Sequence, residues 1–328
     1  MRVLIVKLSS LGDVVHAMPV VHDIVAAHPQ ATIDWVIEPA FAPALAGLHG
    51  LAEVIALPLR RWSRTWWHAD VRRQAVAFRE RLQRHRYDAV LDLQGLTKSA
   101  VVARLARGTS YGLANRTDGA SHEWPARWLV DHAIRVEPRI HAIDRSRVLA
   151  ARALGHALSG PPEFGLIGPA GRAAGVLAGR PTVALIHGTS RDDKLWPEAD
   201  WIGLGRQAID EGWQVALPQA GAAEAARAGR IASALGPRAA VWPALDLGGV
   251  VGRLRHVQGA VGVDSGLSHI AVALGLPHVQ IYNHPTAWRT GPIAAHGHVD
   301  QVAVEGAPAP SLQAVLHAWQ RVCPHPAA

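Results

Sequence analysis

Asp13 follows a glycine at the point where the first apolar run of the chain ends, in the stretch VKLSSLGDVVHAMP. Gly12 permits a tight turn there, and Asp13 falls in the first turn of the helix that the next residues predict. In open α/β sheets, ligands bind beyond the carboxyl ends of the strands, so such a turn is a place for chemistry. A carboxylate at a helix start also favours the helix dipole, and this structural role is the alternative explanation for Asp13.

A second strand-to-helix turn, HGTSRDDKLWP, carries groups that suit a phosphate. Thr189 and Ser190 offer hydroxyl donors, and Lys194 offers a cation ahead of a proline that can open a helix. The glycine spacing of a Walker loop is absent, so the loop is not a P-loop.

A third turn lies in GVDSGLSHIAVALG, where a strand ends at Asp264. Ser265, Gly266 and Leu267 would present backbone N–H groups to a diphosphate at a helix N-terminus. His269 follows on the same helix face. The alternative is that Asp264 or Ser265 only caps the helix and that His269 is structural.

A fourth turn, LPQAGAAEAA, places Glu224 after a strand of the C-terminal half. An acidic residue at the end of the second strand of a Rossmann-like unit commonly accepts hydrogen bonds from a ribose. The alternative is a solvent-facing glutamate at a helix start.

The sequence does not indicate a dinucleotide-binding fingerprint, a serine hydrolase or a metal site. The stretch GLGRQA, residues 203–208, imitates a dinucleotide fingerprint but lies inside a predicted helix rather than after a strand. No G-x-S-x-G elbow surrounds Ser265, and the 19 histidines lack metal-site spacing, so neither a serine hydrolase nor a resident metal is predicted.

The length and composition of the chain limit the kind of fold that can hold these turns. With 328 residues, 49% of them hydrophobic, the chain is long enough for two domains, each with its own core. The single cysteine, Cys323, suits a reducing compartment, and no window approaches the roughly 18 apolar residues of a spanning helix. We therefore expect a cytoplasmic protein.

Short apolar runs alternate with helix-length segments in both halves. They are RVLIVKL, ATIDWVIE, EVIALPL and DAVLDLQ, then TVALIHG, QVALP, GAVGVDS and HVQIYN. The alternation predicts an α/β protein with two doubly wound parallel sheets. The domains are predicted at 1–160 and 177–310, with a Gly- and Pro-rich linker at 161–176. A helix in 311–328 either packs back on the first domain or ends the second.

The formal net charge of +7 is unevenly spread, because residues 60–86 hold nine arginines and two acidic residues. Such a patch attracts nucleic acid, acidic lipid or a phosphorylated ligand. A solvated helix face is the alternative, because apolar residues recur at helical spacing from Val71 to Leu82.

Seven stretches, in order over nearly the whole chain, resemble the bacterial lipopolysaccharide heptosyltransferases. They are VKLSSLGDVVHAMP, IDWVIEPAF, RRWSRTWW, YDAVLDLQGLTKSA, HAIDRSR, HGTSRDDKLWPEADW and GVDSGLSHIAVALGLP. The opening SSLGDV resembles members that add the first heptose more than members that add the second. The resemblance implies a GT-B fold, with two Rossmann-like domains facing a cleft, the N-terminal one for the acceptor and the C-terminal one for the nucleotide-sugar.

The resemblance also implies a reaction. Heptose would pass from ADP-heptose to the inner Kdo of Kdo2-lipid A, with inversion at the anomeric carbon and without a cofactor. Asp13 would be the general base that takes the proton of the attacking hydroxyl. Lys194 would stabilise the charge that develops on the leaving ADP.

Binding roles are carried over by the same resemblance. The donor-side residues would be Thr189, Ser190, Lys194, Glu224, Leu245, Asp264, Ser265, Gly266, Leu267 and His269. The acceptor-side residues would be Ser9, Ser10, Gly12, Arg60, Arg61, Arg64, His141 and Arg145. Within these sets Glu224 would meet the ribose and Leu245 the adenine.

The resemblance also implies a binding partner for the basic stretch, residues 60–86. The arginines of RRWSR would meet Kdo carboxylates or lipid A phosphates, and Trp62, Trp66 and Trp67 would lie against the bilayer. The enzyme would then visit the cytoplasmic face of the inner membrane. The stretch NRTDGASHEWPARW follows the family pattern only loosely, so acceptor contacts from Arg116 or Arg127 are not carried over.

Two other functions are weighed against this one. The first is addition of the second heptose, which differs in its acceptor. The second is a nucleotide-sensing protein that binds nucleic acid through the basic stretch, whose affinity would fall steeply with salt. Stacking platforms for single strands are not indicated, because the tryptophans of the stretch do not lie in predicted strands.

Overall fold

The computed structural model describes residues 1–166, 181–293 and 300–323, and the chain divides into two compact units, Met1–Leu166 and Ile167–Ala328. The strands of the first unit are β1 (Arg2–Val6), β2 (Thr32–Ile37), β3 (Leu51–Ala56), β4 (Arg86–Asp92), β5 (Arg107–Leu113) and β6 (His132–Ile134). Its helices are α1 (Leu11–Ala17), α2 (Pro19–Ala27), α3 (Leu59–Thr65), α4 (Ala69–Leu82), α5 (Thr97–Leu105), α6 (Ala126–Leu129) and α7 (Ala142–Leu154).

The second unit repeats this plan. Its strands are β7 (Thr182–Ile186), β8 (Gln214–Leu217), β9 (Ala239–Val241), β10 (Gly259–Val263), β11 (His278–Tyr282) and β12 (Gln301–Glu305). Its helices are α8 (Glu198–Asp210), α9 (Ala222–Leu235), α10 (Leu247–Leu254), α11 (Gly266–Ala273), α12 (Ala287–Thr290) and α13 (Leu312–Val322).

Both sheets have the doubly wound strand order. The first runs β3-β2-β1-β4-β5-β6 and the second β12-β11-β10-β7-β8-β9, and the paired strands are parallel. The winding reverses between β1 and β4 in the first sheet and between β7 and β10 in the second. Ligands bind at such switch points, outside the carboxyl ends of the strands. The predicted fold class is confirmed.

Four strands were not predicted from the sequence, namely β5, β6, β9 and β12. Each lies at an edge of its sheet or next to one, and β6 and β9 are three residues long. Their side chains are largely half-buried or exposed. They therefore lack the continuous apolar run that marks a strand buried on both faces.

The C-terminal helix α13 packs against β11, β12 and α8. Its apolar face, including Val315 and Trp319, belongs to the core of the second unit. Of the two placements that the sequence allowed, the structure has the terminal helix of the second domain. The boundary between the two compact units falls after Leu166, and residues 167–176 of the predicted linker lie outside the described part of the chain, so the linker and domain bounds stay predictions.

Helices cover both faces of the first sheet. One face holds α3, α4 and α5, whose apolar residues share a core cluster with Leu4, Val6 and Leu8. Because side chains alternate along a strand, Ile5 and Lys7 point to the other face. There α1 and α2 both pack against α7, which brings α1 and α7 together beside the end of β1.

A buried ion pair ties α2 to α7. Arg147 donates from Nε and Nη2 to the two carboxylate oxygens of Asp23, at 2.8 and 2.9 Å, and both side chains are at most 6% exposed. We expect Arg147→Met to lower the free energy of unfolding by about 3–5 kcal/mol in urea titrations, because it leaves the Asp23 carboxylate buried without its main cation. Asp23→Leu combined with Arg147→Met should recover most of that loss; an equally unstable double variant would contradict this explanation.

Candidate active site

The turn between β1 and α1 holds Asp13 in a capping box. Ser10 is the N-cap of α1, and Asp13 Oδ2 accepts hydrogen bonds from the Ser10 backbone N at 3.2 Å and from Ser10 Oγ at 2.9 Å. The structural role of Asp13 is therefore real, yet its side chain remains 39% exposed. Gly12 lies within α1 itself, so it is not the turn residue that the sequence predicted.

Two cations lie beside the second oxygen of Asp13. Its Oδ1 is 3.7 Å from Lys7 Nζ and 3.8 Å from an Arg145 guanidinium nitrogen. Burial opposes ionisation, but these cations and the Ser10 hydrogen bonds outweigh it and hold the pKa of Asp13 below its usual range. Asp13 is thus a carboxylate at neutral pH, which is the form that can accept a proton.

Lys7 is a site residue that the sequence reasoning missed. Its side chain is 1% exposed, and Nζ donates to the Leu93 carbonyl at 2.9 Å. Burial lowers the pKa of Lys7 to about 8, although the neighbouring Asp13 carboxylate opposes the change. The available signal was a lysine that interrupts an apolar strand at its carboxyl end, since a lysine is seldom buried without a paired charge.

The start of α7 brings the predicted residues His141 and Arg145 to the same place. His141 is the N-cap, and its Nδ1 accepts a backbone N–H of the first helical turn at 3.2 Å. Arg145, one turn later and buried, donates to Thr117 Oγ1 at 3.3 Å and faces Asp13. The His16 ring of α1 lies 6.1 Å from the His141 ring. Arg145 thus contacts Asp13 directly, and His141 lies one turn earlier on the same helix.

Residues after β4 hold the backbone ahead of α1. Gln94 Oε1 accepts from the backbone N–H groups of Leu8 and Ser9 at 2.9 and 3.2 Å. Asp92, buried at the end of β4, accepts from the Gln94 N–H at 3.0 Å, and burial raises the pKa of Asp92 to about 6. Neither residue was singled out from the sequence, because both follow an ordinary apolar run.

The predicted acceptor arginines lie on α3, after β3, at the same carboxyl edge of the first sheet. Arg60, Arg61 and Arg64 are all exposed. The backbone N–H of Arg60 donates to Glu38 Oε1 at 2.9 Å. Trp62 Nε1 donates to Gln74 Oε1 at 3.2 Å, which ties α3 to α4. The helix is anchored while its cationic side chains stay accessible.

In the second unit Asp264, at the end of β10, organises a charged cluster. Lys194 Nζ lies 2.6 Å from Asp264 Oδ2, and His269 Nε2 lies 3.4 Å from Oδ1. Thr189 Oγ1 donates to the Asp264 carbonyl at 3.3 Å. Burial opposes ionisation, but His269 and Lys194 together hold the pKa of Asp264 far below its usual range. Residues predicted from separate turns thus meet at one point.

The N-terminus of α11 adjoins this cluster. Ser265 is its N-cap and accepts from the Ser268 N–H at 3.4 Å, so the capping role weighed for Ser265 is present. Gly266 and Leu267 are the first two helical residues, whose N–H groups have no acceptor within a helix. The exposed Ser190 lies in the loop after β7 that also carries Lys194.

Glu224 lies against the loop that follows β7. Its Oε2 accepts from the Ala220 N–H at 2.7 Å. A Cβ on Gly188 would come within 2.5 Å of the Glu224 carboxyl carbon, so the glycine makes room for the carboxylate. Burial raises the pKa of Glu224. Leu245, half-buried, immediately precedes the N-cap of α10 at the same sheet edge.

The structure describes residues 1–166, 181–293 and 300–323. Within those ranges, no group of three or more His, Cys, Asp or Glu side chains is arranged to hold a metal ion. No helix there combines the length and the apolar character needed to cross a membrane.

Two doubly wound parallel sheets in one chain, each with charged residues gathered at its carboxyl edge, form the architecture of the GT-B fold. The model of glycosyltransferase family 9 (heptosyltransferase) matches residues 75–315. The chain belongs to this family.

Relatives in Escherichia coli give the finer comparison. Lipopolysaccharide heptosyltransferase 1 of strain K12 is 38% identical over 288 residues, covering 86% of this chain and 88% of that protein. Lipopolysaccharide heptosyltransferase 2 of the same strain is 28% identical over 320 residues, covering 91% and 87%. The solved structure of E. coli heptosyltransferase WaaC with ADP superposes with a TM-score of 0.81, at 33% identity and 93% coverage of both chains.

Proposed function

We propose that this glycosyltransferase moves L-glycero-D-manno-heptose from ADP-heptose to the inner Kdo of Kdo2-lipid A, the first heptose of the lipopolysaccharide core. The observation that carries the proposal is Asp13, an accessible carboxylate with lowered pKa at the switch point of the first sheet. The higher identity to heptosyltransferase 1 than to heptosyltransferase 2 favours the first heptose over the second.

Asp13 acts as the general base in this mechanism. The acceptor hydroxyl oxygen attacks the anomeric carbon, the bond from that carbon to the ADP oxygen breaks, and the hydroxyl proton passes to Asp13. A carboxylate with a lowered pKa is a weak base, but it suffices because the attacking hydroxyl becomes acidic as its oxygen bonds to the oxocarbenium-like carbon. Lys7 and Arg145 keep Asp13 ionised until then.

The donor diphosphate meets the Asp264 cluster. Lys194, the hydroxyls of Thr189 and Ser190, and the first N–H groups of α11 stabilise the negative charge that grows on the leaving ADP. Asp264 holds Lys194 at 2.6 Å, so the cation is in place before the donor arrives. Asp264 and His269 contact the heptose or its phosphate.

The nucleoside is held by neighbouring turns of the same sheet edge. Glu224 accepts hydrogen bonds from the ribose hydroxyls, and the Leu245 segment packs on the adenine. Residues 177–310 are accordingly the donor domain, and residues 1–160 the acceptor domain.

The acceptor is held by residues at the carboxyl edge of the first sheet. Arg60, Arg61 and Arg64 pair with Kdo carboxylates or lipid A phosphates, which planar guanidinium groups bind in bidentate fashion. Ser9, Ser10, Gly12, His141 and Arg145 complete this side. The lipid part of the acceptor lies in the inner membrane, with Trp62, Trp66 and Trp67 against its cytoplasmic surface.

Mass spectrometry of the acceptor tests the proposal. Purified protein with ADP-heptose and Kdo2-lipid A, and no other transferase, is expected to add one heptose. Transfer only to an acceptor that already carries a heptose would identify the enzyme of the second addition instead. No transfer to either acceptor would overturn the proposed reaction.

A further inference from the structure

Exposed apolar side chains concentrate on one face of the first unit. Among the described residues, nine large hydrophobic side chains are exposed, and seven of them lie on or beside α3 to α6. These seven are Trp66, Trp67, Val76, Val101, Leu105, Trp124 and Trp128. Since α3, α4 and α5 share one sheet face and α6 packs on α5, the side chains belong to one broad surface, here called the α3–α6 face.

The side of this face around α6 carries an aromatic pair. Trp124 and Trp128 are 59% and 60% exposed, and their ring centroids are 4.3 Å apart. The guanidinium of Arg127 lies over both rings, 5.2 and 5.5 Å from their centroids. Below the pair, α6 is fixed to α5 by a small core of Ala100, Ala126 and Val130. With Arg127, the pair forms an exposed aromatic and cationic cluster to which the proposed reaction assigns no role.

The same four helices hold the excess charge of the protein. Helices α3, α4, α5 and α6 contain ten Lys and Arg residues and two acidic residues, a net charge of +8. The whole chain has a net charge of +7, so the remainder of the protein has no positive excess. A surface potential of this kind attracts an anionic surface over distances comparable with the Debye length.

We propose that the α3–α6 face docks on an anionic phospholipid bilayer and that Trp124, Arg127 and Trp128 form a second anchor, separate from Trp66 and Trp67. Indole rings favour the membrane–water interface, where one edge is apolar and the N–H is wet, and arginine favours the anionic headgroups beside them. Exposed aliphatic residues such as Val101 and Leu105 gain nothing from a nucleic-acid backbone but can enter the interfacial layer.

This inference deepens the proposed function, on which it rests for the presence of a membrane-borne acceptor. It goes beyond that function because it concerns lipids that the enzyme does not modify. Two anchors on one face fix the orientation of the first unit on the bilayer, whereas one anchor leaves the unit free to pivot. A lipid acceptor is found faster by an enzyme that already lies on the surface in a fixed orientation.

Vesicle flotation without Kdo2-lipid A or ADP-heptose tests the second anchor. The wild-type chain is expected to bind phosphatidylcholine vesicles that contain phosphatidylglycerol and to bind pure phosphatidylcholine weakly. Trp124→Ser with Trp128→Ser is expected to lower the partition coefficient on the anionic vesicles about tenfold, and Arg127→Ala about fivefold. The matched control is Trp288→Ser, an exposed tryptophan of the second unit, which should leave the partition coefficient unchanged.

Heptose transfer to Kdo2-lipid A dispersed in detergent separates this inference from the proposed function. The double tryptophan variant should transfer at the wild-type rate in detergent. Unchanged vesicle binding by the double variant would overturn the second anchor. Absence of vesicle binding by the wild-type chain, or salt-sensitive binding to a DNA duplex in its place, would overturn the docking surface. Failed transfer with intact, tryptophan-dependent vesicle binding would contradict the proposed reaction and support the anchor.

Discussion

Asp13→Asn is expected to lower kcat for heptose transfer by about a thousandfold while the Kd for ADP-heptose stays within about twofold. The amide oxygen can still accept the hydrogen bonds of Ser10, so the cap of α1 survives, but the side chain can no longer take the proton of the attacking hydroxyl. Steady-state kinetics with both substrates and calorimetric titration of the donor measure the two effects.

A matched control separates the base from the helix cap. Asp70 is the acidic residue in the first turn of α4, as Asp13 is in the first turn of α1. It is exposed, and α4 lies on the opposite face of the first sheet from α1. Asp70→Asn should leave kcat unchanged, because it alters only a helix-dipole interaction. If Asp13→Asn retained the wild-type turnover, Asp13 would be a capping residue alone.

If Asp13 is the general base, its pKa determines where kcat falls on the acid side of the pH profile. Because the pKa of Asp13 lies below its usual range, kcat should hold to lower pH than an ordinary aspartate would allow and fall as Asp13 becomes protonated. Lys7→Met removes one of the neighbouring cations, so the pKa of Asp13 should rise and the acid limb should move to higher pH. An unmoved limb would show that Lys7 does not tune the base.

Lys194→Ala is expected to weaken ADP binding and to lower kcat/KM together, by about a hundredfold or more in kcat/KM. In the proposed mechanism the ammonium group faces the donor diphosphate, and its removal leaves the buried Asp264 carboxylate with His269 but without the cation that lies 2.6 Å from it. Calorimetric titration with ADP and kinetics with ADP-heptose measure the binding and the turnover separately.

Arg191 supplies the control for Lys194. It lies three residues earlier in the same loop, and its exposed guanidinium pairs with Asp193. Arg191→Ala should change ADP binding little, because an exposed ion pair contributes little and its cation points at a local carboxylate. Wild-type ADP affinity in Lys194→Ala would remove Lys194 from the diphosphate site.

The central elements of both sheets could be predicted from the sequence because burial on both faces imposes a continuous apolar run. The runs RVLIVKL and TVALIHG, for example, contain β1 (Arg2–Val6) and β7 (Thr182–Ile186). The edge strands β6 and β9 were not predicted because their three residues are exposed or half-buried, so pairing with the neighbouring strand, and not an apolar composition, makes them strands.

Much of the candidate site followed from topology. Once parallel sheets are predicted, residues in the turns after different strands must share one edge, and the family resemblance assigned Asp264, Lys194 and His269 together to the donor side. Lys7, Asp92 and Gln94 could not be found in this way. The importance of Lys7 and Gln94 arises from burial and from partners about 85 residues away in the chain, namely Leu93 for Lys7 and Ser9 for Gln94. Asp92 has local hydrogen-bond partners, and its importance arises from its burial.

The sequence by itself determined the doubly wound class, the family resemblance and the strand-end residues with chemical potential, because those properties depend on local pattern and order along the chain. The tertiary structure alone decided which charges meet: the cations at Asp13, the ion pair between Lys194 and Asp264, and the placement of Trp124, Arg127 and Trp128 on the same face as the basic stretch. The physical reason is that a pKa, an ion pair or a surface potential depends on distances and burial, and the fold creates both.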